Sequence, residues 1–253
     1  MTATRGFGID IGGSGIKGAL VDLEQGQLIG DRLRIDTPQP STPEAVADVV
    51  AEIVAHFSWD GPVGVTLPAV VKKGVAHTAA NIDHKWIGTD ADALFAKRIG
   101  RGIDDIAMLN DADAAGMAEI RFGDPAARKG VTALLTFGTG IGSAVFHDGK
   151  LVPNPEFGHL EVDGHDAEKR AAASVKDNEG MSYPDWAKRV KRYLTVLENL
   201  IWPDLFIVGG GVSKKAEKWV PLLDIRTPIV VASLQNNAGI VGAAAAAVEG
   251  IEH

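Results

Sequence analysis

The chain has 253 residues, 25 Lys and Arg against 33 Asp and Glu for a net charge of −8, 30 Gly and no Cys. Without Cys there is no disulfide framework, no cysteine nucleophile and no thiolate metal site, and the acidic balance argues against a general nucleic-acid binder. Glycine at about 12%, against roughly 7% on average and without a G-X-Y period, points to many tight turns in a folded chain long enough for one large domain or two lobes.

No segment approaches the ~18 apolar residues of a membrane span, and the N-terminus shows no long apolar leader before a strand-like pattern begins. A cytoplasmic protein without a membrane partner is expected. Residues 6–35 read as three strands: F-G-I-D-I, a G-G-S-G turn, I-K-G-A-L-V-D, the turn E-Q-G-Q, then L-I-G-D-R-L-R-I. A dinucleotide fold or a P-loop would place a helix directly after its glycines, so the short distance to the next turn argues for a hairpin. After a Pro-rich connection, Ser41 or Thr42 is placed as an N-cap with Pro43 and Glu44 opening a helix. Its apolar face is Val46, Val49, Val50, Ile53, Val54 and Phe57. P-V-G-V-T-L-P reads as a strand, residues 90–100 as a short helix, and I-A-M-L as a buried strand ending at Asn110 and Asp111.

The second half repeats the opening. V-T-A-L-L-T-F-G-T-G-I-G-S-A-V-F is again strand, glycine turn and strand, and a shift of 126 residues sets Gly12 on Gly138 and Asp10 on Thr136. Residues 183–202 form an amphipathic helix with Trp186, Val190, Leu194, Leu197 and Ile201 on one side. D-L-F-I-V-G-G-G-V-S is a buried strand running into three glycines, and an Ala-rich helix closes the chain.

Three glycine loops follow apolar strands, at residues 12–15, 138–142 and 209–211. Each is either a plain turn or a concavity of backbone amides for an anion. Asn110, Asp111 and Asp113 are all suited to N-capping the helix that follows. A carboxylate there would equally suit phosphoryl transfer, which needs one beside the acceptor hydroxyl. Glu156, His159, Glu161 and Glu168, with Asn81 and Asp83 upstream, offer the carboxylates and amides that a sugar's hydroxyls require, although Asn81 and Asp83 also suit a turn before Trp86. His159 and His165 with acidic neighbours match no standard metal-binding spacing. Lys72, Lys73, Lys85, Lys97, Arg98, Lys188, Arg189, Lys191, Arg192, Lys214 and Lys215 are the basic groups, read as solvated faces unless an extended polyanion aligns some of them.

Taken together, I-D-I-G-G-S-G-I-K-G, L-N-D-A-D-A-A-G, L-T-F-G-T-G-I-G, E-F-G-H and I-V-G-G-G-V-S resemble the ROK sugar kinases (repressor, open reading frame, kinase) in order and over nearly the whole chain. The resemblance implies an α/β, actin-like (ribonuclease H-like) fold of two lobes around a cleft, with the C-terminal helix returning to the first. The lobes would be residues 1–109 with 235–253, and residues 110–234. It implies Asp111 as general base, and Asn81, Asp83, Asn110, Glu156, His159 and Glu168 as sugar contacts. Asp10, Gly12, Gly13, Ser14 and Lys17 match the first phosphate motif, Gly138, Thr139 and Gly140 the second, and Gly209, Gly210 and Gly211 the segment near the nucleotide's adenosine. Mg²⁺ would be held mainly by donor phosphates, with Asp10 as a candidate ligand. Most members carry a cysteine-rich zinc loop after E-x-G-H. This chain has E-V-D-G-H-D-A-E-K-R there, so zinc is not expected. T-A-A-N-I-D and W-I-G-T-D resemble the polyphosphate glucokinases, which use inorganic polyphosphate and sometimes ATP. The alternative is an ATP-only hexokinase, mannokinase or fructokinase of the same family. Lys72, Lys73, Lys85, Lys188, Arg189 and Arg192 would be candidates for a polyphosphate track. A homodimer is expected from the resemblance. With about six residues before the first strand, a DNA-binding repressor is not expected.

Overall fold

The computed structural model describes residues 4–249. In chain order come β1 (Arg5–Ile11), β2 (Ile16–Asp22), β3 (Gln27–Ile35), α1 (Pro43–His56), β4 (Val63–Leu67), β5 (Val71–Lys72), β6 (Val75–Ala76), α2 (Ala91–Ile99), β7 (Ile106–Asn110) and α3 (Asp111–Phe122). They are followed by β8 (Val131–Phe137), β9 (Ile141–His147), β10 (Lys150–Val152), β11 (Glu161–Val162), β12 (His165–Asp166), α4 (Glu168–Ala171), α5 (Ala173–Asn178), α6 (Tyr183–Ile201), β13 (Leu205–Gly209), β14 (Ile229–Val231) and α7 (Ala238–Glu249). None of the described helices is long and apolar enough to cross a membrane.

The chain divides into two compact units, Met1–Ala118 with Asn237–His253, and Glu119–Asn236. The division falls inside α3 rather than at residue 110, and Asp111 therefore belongs to the first unit. The start of α3 is held there by α7. Leu109, Ala114 and Ala246 share one small cluster, and a Cβ on Gly242 would lie 1.7 Å from the Ala114 carbonyl oxygen.

In the first unit the sheet order is β3-β2-β1-β4-β7, with β1 antiparallel to β2 and parallel to β4. Alternation along β1 assigns its two faces. Phe7, Ile9 and Ile11 pack in a core with Val46, Val50 and Ile53 of α1 and Phe95 of α2. Gly6 and Gly8 instead lie against α7, and so does Gly64 on β4. A Cβ on Gly64 would sit 1.8 Å from the Ala243 carbonyl oxygen, so only glycine lets the helix come so close. The alanines of α7 supply the other half of that approach, with Ala243, Ala244, Ala245 and Ala246 all buried. Thr42 caps α1, its hydroxyl accepting from the Ala45 amide at 3.4 Å, and Asp90 caps α2 in the same way.

The second unit has the sheet order β10-β9-β8-β13-β14. This is the first unit's order, with β8 antiparallel to β9 and parallel to β13. Trp186, Val190, Tyr193, Leu194 and Leu197 of α6 bury one face against Leu135, Phe137, Phe206 and Val208 of the sheet. Trp186, Trp219 and Phe137 meet edge-to-face at centroid distances of 4.9–5.9 Å. Fully burying one such side chain is worth about 1.5–3 kcal/mol.

Candidate active site

In the first unit the turn between β1 and β2 is closed by the Gly12 amide donating to the Gly15 carbonyl at 3.1 Å. Two side chains from the end of β3 and just beyond it brace the same turn. Thr37 Oγ1 donates to the Gly12 carbonyl at 2.5 Å, and Arg34 Nη2 donates to the Ser14 carbonyl at 2.9 Å. Three of the turn's carbonyls are thereby occupied, while no described residue accepts from the amides of Gly13, Ser14 and Gly15. A turn left with donors and few free acceptors is chemically suited to an anion.

Asp10 and Lys17 stand opposite one another in the β1–β2 register, and Asp10 and Thr66 are partners across β1 and β4. Partnered residues share a face. Accordingly Lys17 Nζ lies 3.3 Å from Asp10 Oδ2, and Thr66 Oγ1 donates to Asp10 Oδ1 at 3.0 Å. Asp10 is thus a single carboxylate held beside the glycine turn, which fits an ion carried chiefly by donor phosphates, the usual habit of Mg²⁺.

The choice among caps at the start of α3 is resolved by geometry. Asn110 is buried, its Nδ2 donates to the Ala69 carbonyl at 3.1 Å, and its Oδ1 accepts from the amides of Ala112 and Asp113 at 2.8 and 3.2 Å. Asp111 stays exposed, with one carboxylate oxygen 2.9 Å from the Ala112 amide. Asn110 therefore does the capping, and Asp111 presents a carboxylate at the C-terminal end of a buried strand. Asn81, in the left-handed region at φ +60°, abuts the glycine turn, its carbonyl oxygen 3.1 Å from where a Cβ on Gly13 would be. Asp83 is half-buried and caps the short turn His84–Trp86 by accepting from the Lys85 amide at 2.8 Å.

The second unit builds a parallel device. The Gly138 amide donates to the Gly140 carbonyl at 3.0 Å, Ser174 donates its amide to the Gly138 carbonyl at 3.0 Å, and Ser174 Oγ donates to the Thr139 carbonyl at 2.6 Å. Here too the carbonyls are occupied, and no described residue accepts from the amides of Thr139 and Gly140. Glu168 Oε2 accepts from the Ile141 amide at 3.1 Å, which ties the start of α4 to this turn.

The E-F-G-H segment forms a single helical turn, Phe157–His159. It is fastened by Ser143 Oγ, which donates to the Pro155 carbonyl and accepts from the Phe157 amide, and by the Tyr193 hydroxyl donating to the Phe157 carbonyl at 3.1 Å. A Cβ on Gly158 would lie 2.0 Å from the Ile141 carbonyl, so glycine is required to seat this turn against the exit of the second glycine turn. Its neighbour His159 has Nδ1 3.0 Å from Asp166 Oδ2 and 3.9 Å from Glu168 Oε1. The hydrogen bond to Asp166 chiefly holds the imidazole above its ordinary pKa; partial burial opposes this, and Glu168 and Glu156 add to it. Desolvation raises the Glu156 carboxyl, His159 opposes the rise, and Glu168 adds to it.

Asp166 was not among the residues singled out from the sequence. No strand is expected in the stretch after E-F-G-H, whereas the structure forms the β11–β12 hairpin there, and its return strand carries Asp166 to His159. Each of His159, Asp166 and Glu168 offers a ligand atom within 4.8 Å of the others, the one such metal-competent group among the described residues. Arg34, Thr37, Thr66 and Ser174 were missed as well, because each acts on a segment distant in sequence.

Of the third loop, Gly209 ends β13, Gly210 is left-handed at φ +83°, and Gly211 opens a short helical segment. Lys72, Lys73 and Lys85 are exposed in the first unit. Lys188, Arg189 and Arg192, in the second unit, are paired with Asp185, Glu179 and Asp163.

The profile of the ROK family matches residues 6–180. The chain belongs to the ROK family. Over 252 residues it is 60% identical to a polyphosphate glucokinase of Mycobacterium tuberculosis, covering 100% of this chain and 94% of that protein. Its fold superposes on the inorganic polyphosphate/ATP-glucomannokinase of Arthrobacter sp. strain KM with a TM-score of 0.91 and 51% identity, covering 98% and 99% of the two chains. A ROK family glucokinase from Streptomyces griseus, solved with glucose and AMPPNP, superposes with a TM-score of 0.79 at 24% identity over 95% of this chain and 98% of that one, a likeness of fold. This ROK chain accordingly has the α/β, actin-like two-lobed fold of the family's sugar kinases.

Proposed function

We infer that this chain is a polyphosphate glucokinase, transferring a phosphoryl group from inorganic polyphosphate, and from ATP as a further donor, to the 6-hydroxyl of glucose. The observation that carries the reading is the full-length 60% identity to a polyphosphate glucokinase. Two glycine turns with unclaimed amides, and a carboxylate at Asp111 left exposed by Asn110, agree with it.

In this reading Asn81, Asp83, Asn110, Glu156, His159 and Glu168 bind the sugar. Asp111 orients the 6-hydroxyl and takes its proton as that oxygen bonds to the terminal phosphorus. The bridging P–O bond breaks, its electron pair stays with the shortened polyphosphate, and glucose 6-phosphate is formed. Amides of residues 13–15 and 139–140, with Lys17, face the negative charge of the phosphates. Asp10 is the carboxylate that would help hold a Mg²⁺ ion carried in by the donor, and such an ion would neutralise part of the phosphate charge. Gly209, Gly210 and Gly211 serve the nucleotide when ATP is the donor. A homodimer, which rests on the family resemblance alone, and a cytoplasmic location belong to the same proposal.

Purified protein with glucose and Mg²⁺ should make glucose 6-phosphate from polyphosphate; product from ATP alone would overturn the donor assignment. Asp111→Asn should lose about 10²–10⁴-fold in kcat, the usual worth of a general base, with glucose binding by calorimetry nearly unchanged. Near-normal turnover in that variant removes Asp111 from the role.

A further inference from the structure

A cavity of about 200 Å³ opens within the second unit between the β11–β12 hairpin, α4 and α6. Its walls combine two chemistries. Val162, Ala167, Ala171 and Tyr193 make an apolar floor, and Tyr193 brings only its ring, because its hydroxyl is committed to the Phe157 carbonyl. Around this floor stand four cationic side chains, Arg170, Lys188, Arg189 and Arg192, against one lining carboxylate, Asp163.

The cations are not equivalent. Arg192 gives Nε and Nη2 to Asp163 at 2.9 and 2.6 Å. Arg189 pairs with Glu179 and Lys188 with Asp185, each at 2.8 Å. The guanidinium of Arg170 has no hydrogen-bond or ion-pair partner among the described residues, although it lies near enough to Asp163 and Glu179 to lower both their pKa values as a minor contribution. Pairing therefore leaves one positive charge in excess, carried on a planar fork suited to bidentate binding of an oxyanion. The volume lies below the about 300–1,000 Å³ of pockets that take drug-sized ligands, so the occupant is compact.

We propose that this cavity is a second anion site, separate from the catalytic residues, which takes a small phosphate-bearing ligand with Arg170 as its anchoring cation. Its position gives the site a connection to the acceptor residues. His165 and Ala167 line it, and between them Asp166, whose side chain alternates to the other face of β12, holds His159. Two phosphate sources fit this chemistry, a stretch of the polyphosphate donor beyond its reacting end and the sugar phosphate product. The choice of these probes rests on the proposed reaction; the cavity and its charge do not.

The test is calorimetric titration of the full chain, wild type and Arg170→Gln, with inorganic tripolyphosphate in one arm and glucose 6-phosphate in the other. One of the two should bind the wild type with two equivalents per chain. Arg170→Gln should weaken the second equivalent about tenfold, the worth of one charge-assisted contact, and Arg170→Lys should recover part of it. The melting temperature of Arg170→Gln should match the wild type, since the side chain is exposed and holds no structural hydrogen bond. A second equivalent of tripolyphosphate makes the cavity a donor anchor, and one of glucose 6-phosphate makes it a product site. A single equivalent of each ligand overturns the proposal, and so does a second equivalent that Arg170→Gln leaves unchanged. A wild type that makes no glucose 6-phosphate from polyphosphate, yet keeps an Arg170-dependent second equivalent, would remove the proposed function and leave the cavity assignment standing.

Discussion

At Asn110 and Asp111, adjacent residues of equal capping propensity divide the labour. Because the Asn110 amide group is buried and satisfied on both its oxygen and its nitrogen, it fixes the start of α3. Asn110→Ala should cost about 1 kcal/mol of stability, read from denaturant unfolding, whereas Asp111→Asn should cost little. Arg34 is a different case, invisible in sequence because 20 residues separate it from Ser14. Its guanidinium covers Gly15 and occupies the Ser14 carbonyl as an acceptor. Arg34→Ala should raise the KM for polyphosphate roughly fivefold, the worth of about one hydrogen bond, with the KM for glucose unchanged; an equal rise in both would dismiss the brace. At His159 the bond to Asp166 raises the imidazole pKa above its ordinary value of about 6.5. The folded state therefore prefers the proton. Its stabilising contribution is fully present below about pH 6.5 and fades as pH rises through the raised folded value. With the ring 56% exposed, solvent keeps the contribution small. Proton NMR should find the His159 midpoint above 6.5 in the wild type and lower in Asp166→Asn, and coincident midpoints would count against the pair.

Among the elements, the hairpin readings rest on the strongest local signals, an apolar β-branched run either side of a glycine cluster, and they agree with β1–β2 and β8–β9. The repeat itself is not perfect. β1 and β8 are related by the shift of 126, but β2 begins at Ile16 and β9 at Ile141, so the second turn is one residue shorter. It closes from Gly138 to Gly140, where the first closes from Gly12 to Gly15. The β11–β12 hairpin escaped because each strand has two residues, too few for alternation to register. What positions α7 is also absent from local pattern. Gly64 sits in a run that reads as an ordinary buried strand, yet Gly64→Ala would drive a methyl into the Ala243 carbonyl. Overpacking of this kind costs about 1–3 kcal/mol or more, so the thermal midpoint should fall by several degrees. An unchanged midpoint would show that α7 can move away without penalty.

For the whole molecule, the matching strand orders of the two units turn a weak sequence repeat into a repeat of topology. Each unit carries a glycine turn whose carbonyls are braced by side chains or backbone from elsewhere in the same unit. The net charge of −8 bears on the donor at this scale. A polyanion approaching an acidic chain depends on local cations, so the KM for polyphosphate should rise steeply with ionic strength while that for glucose stays level. Parallel responses of the two constants in a salt series would argue against a cationic track. The sequence by itself determined the family, the strand–turn–strand openings of both halves, the glycine turns within them and the strand that ends at Asn110, because these follow from short-range periodicity, glycine conformation and motif order. Tertiary structure alone decided which residue caps α3, which side chains brace the loops, that Asp166 partners His159, and that Arg170 is left with unmatched charge. Each of those depends on which distant segments the sheets and helices bring within hydrogen-bonding reach, a property of packing that spacing along the chain does not encode.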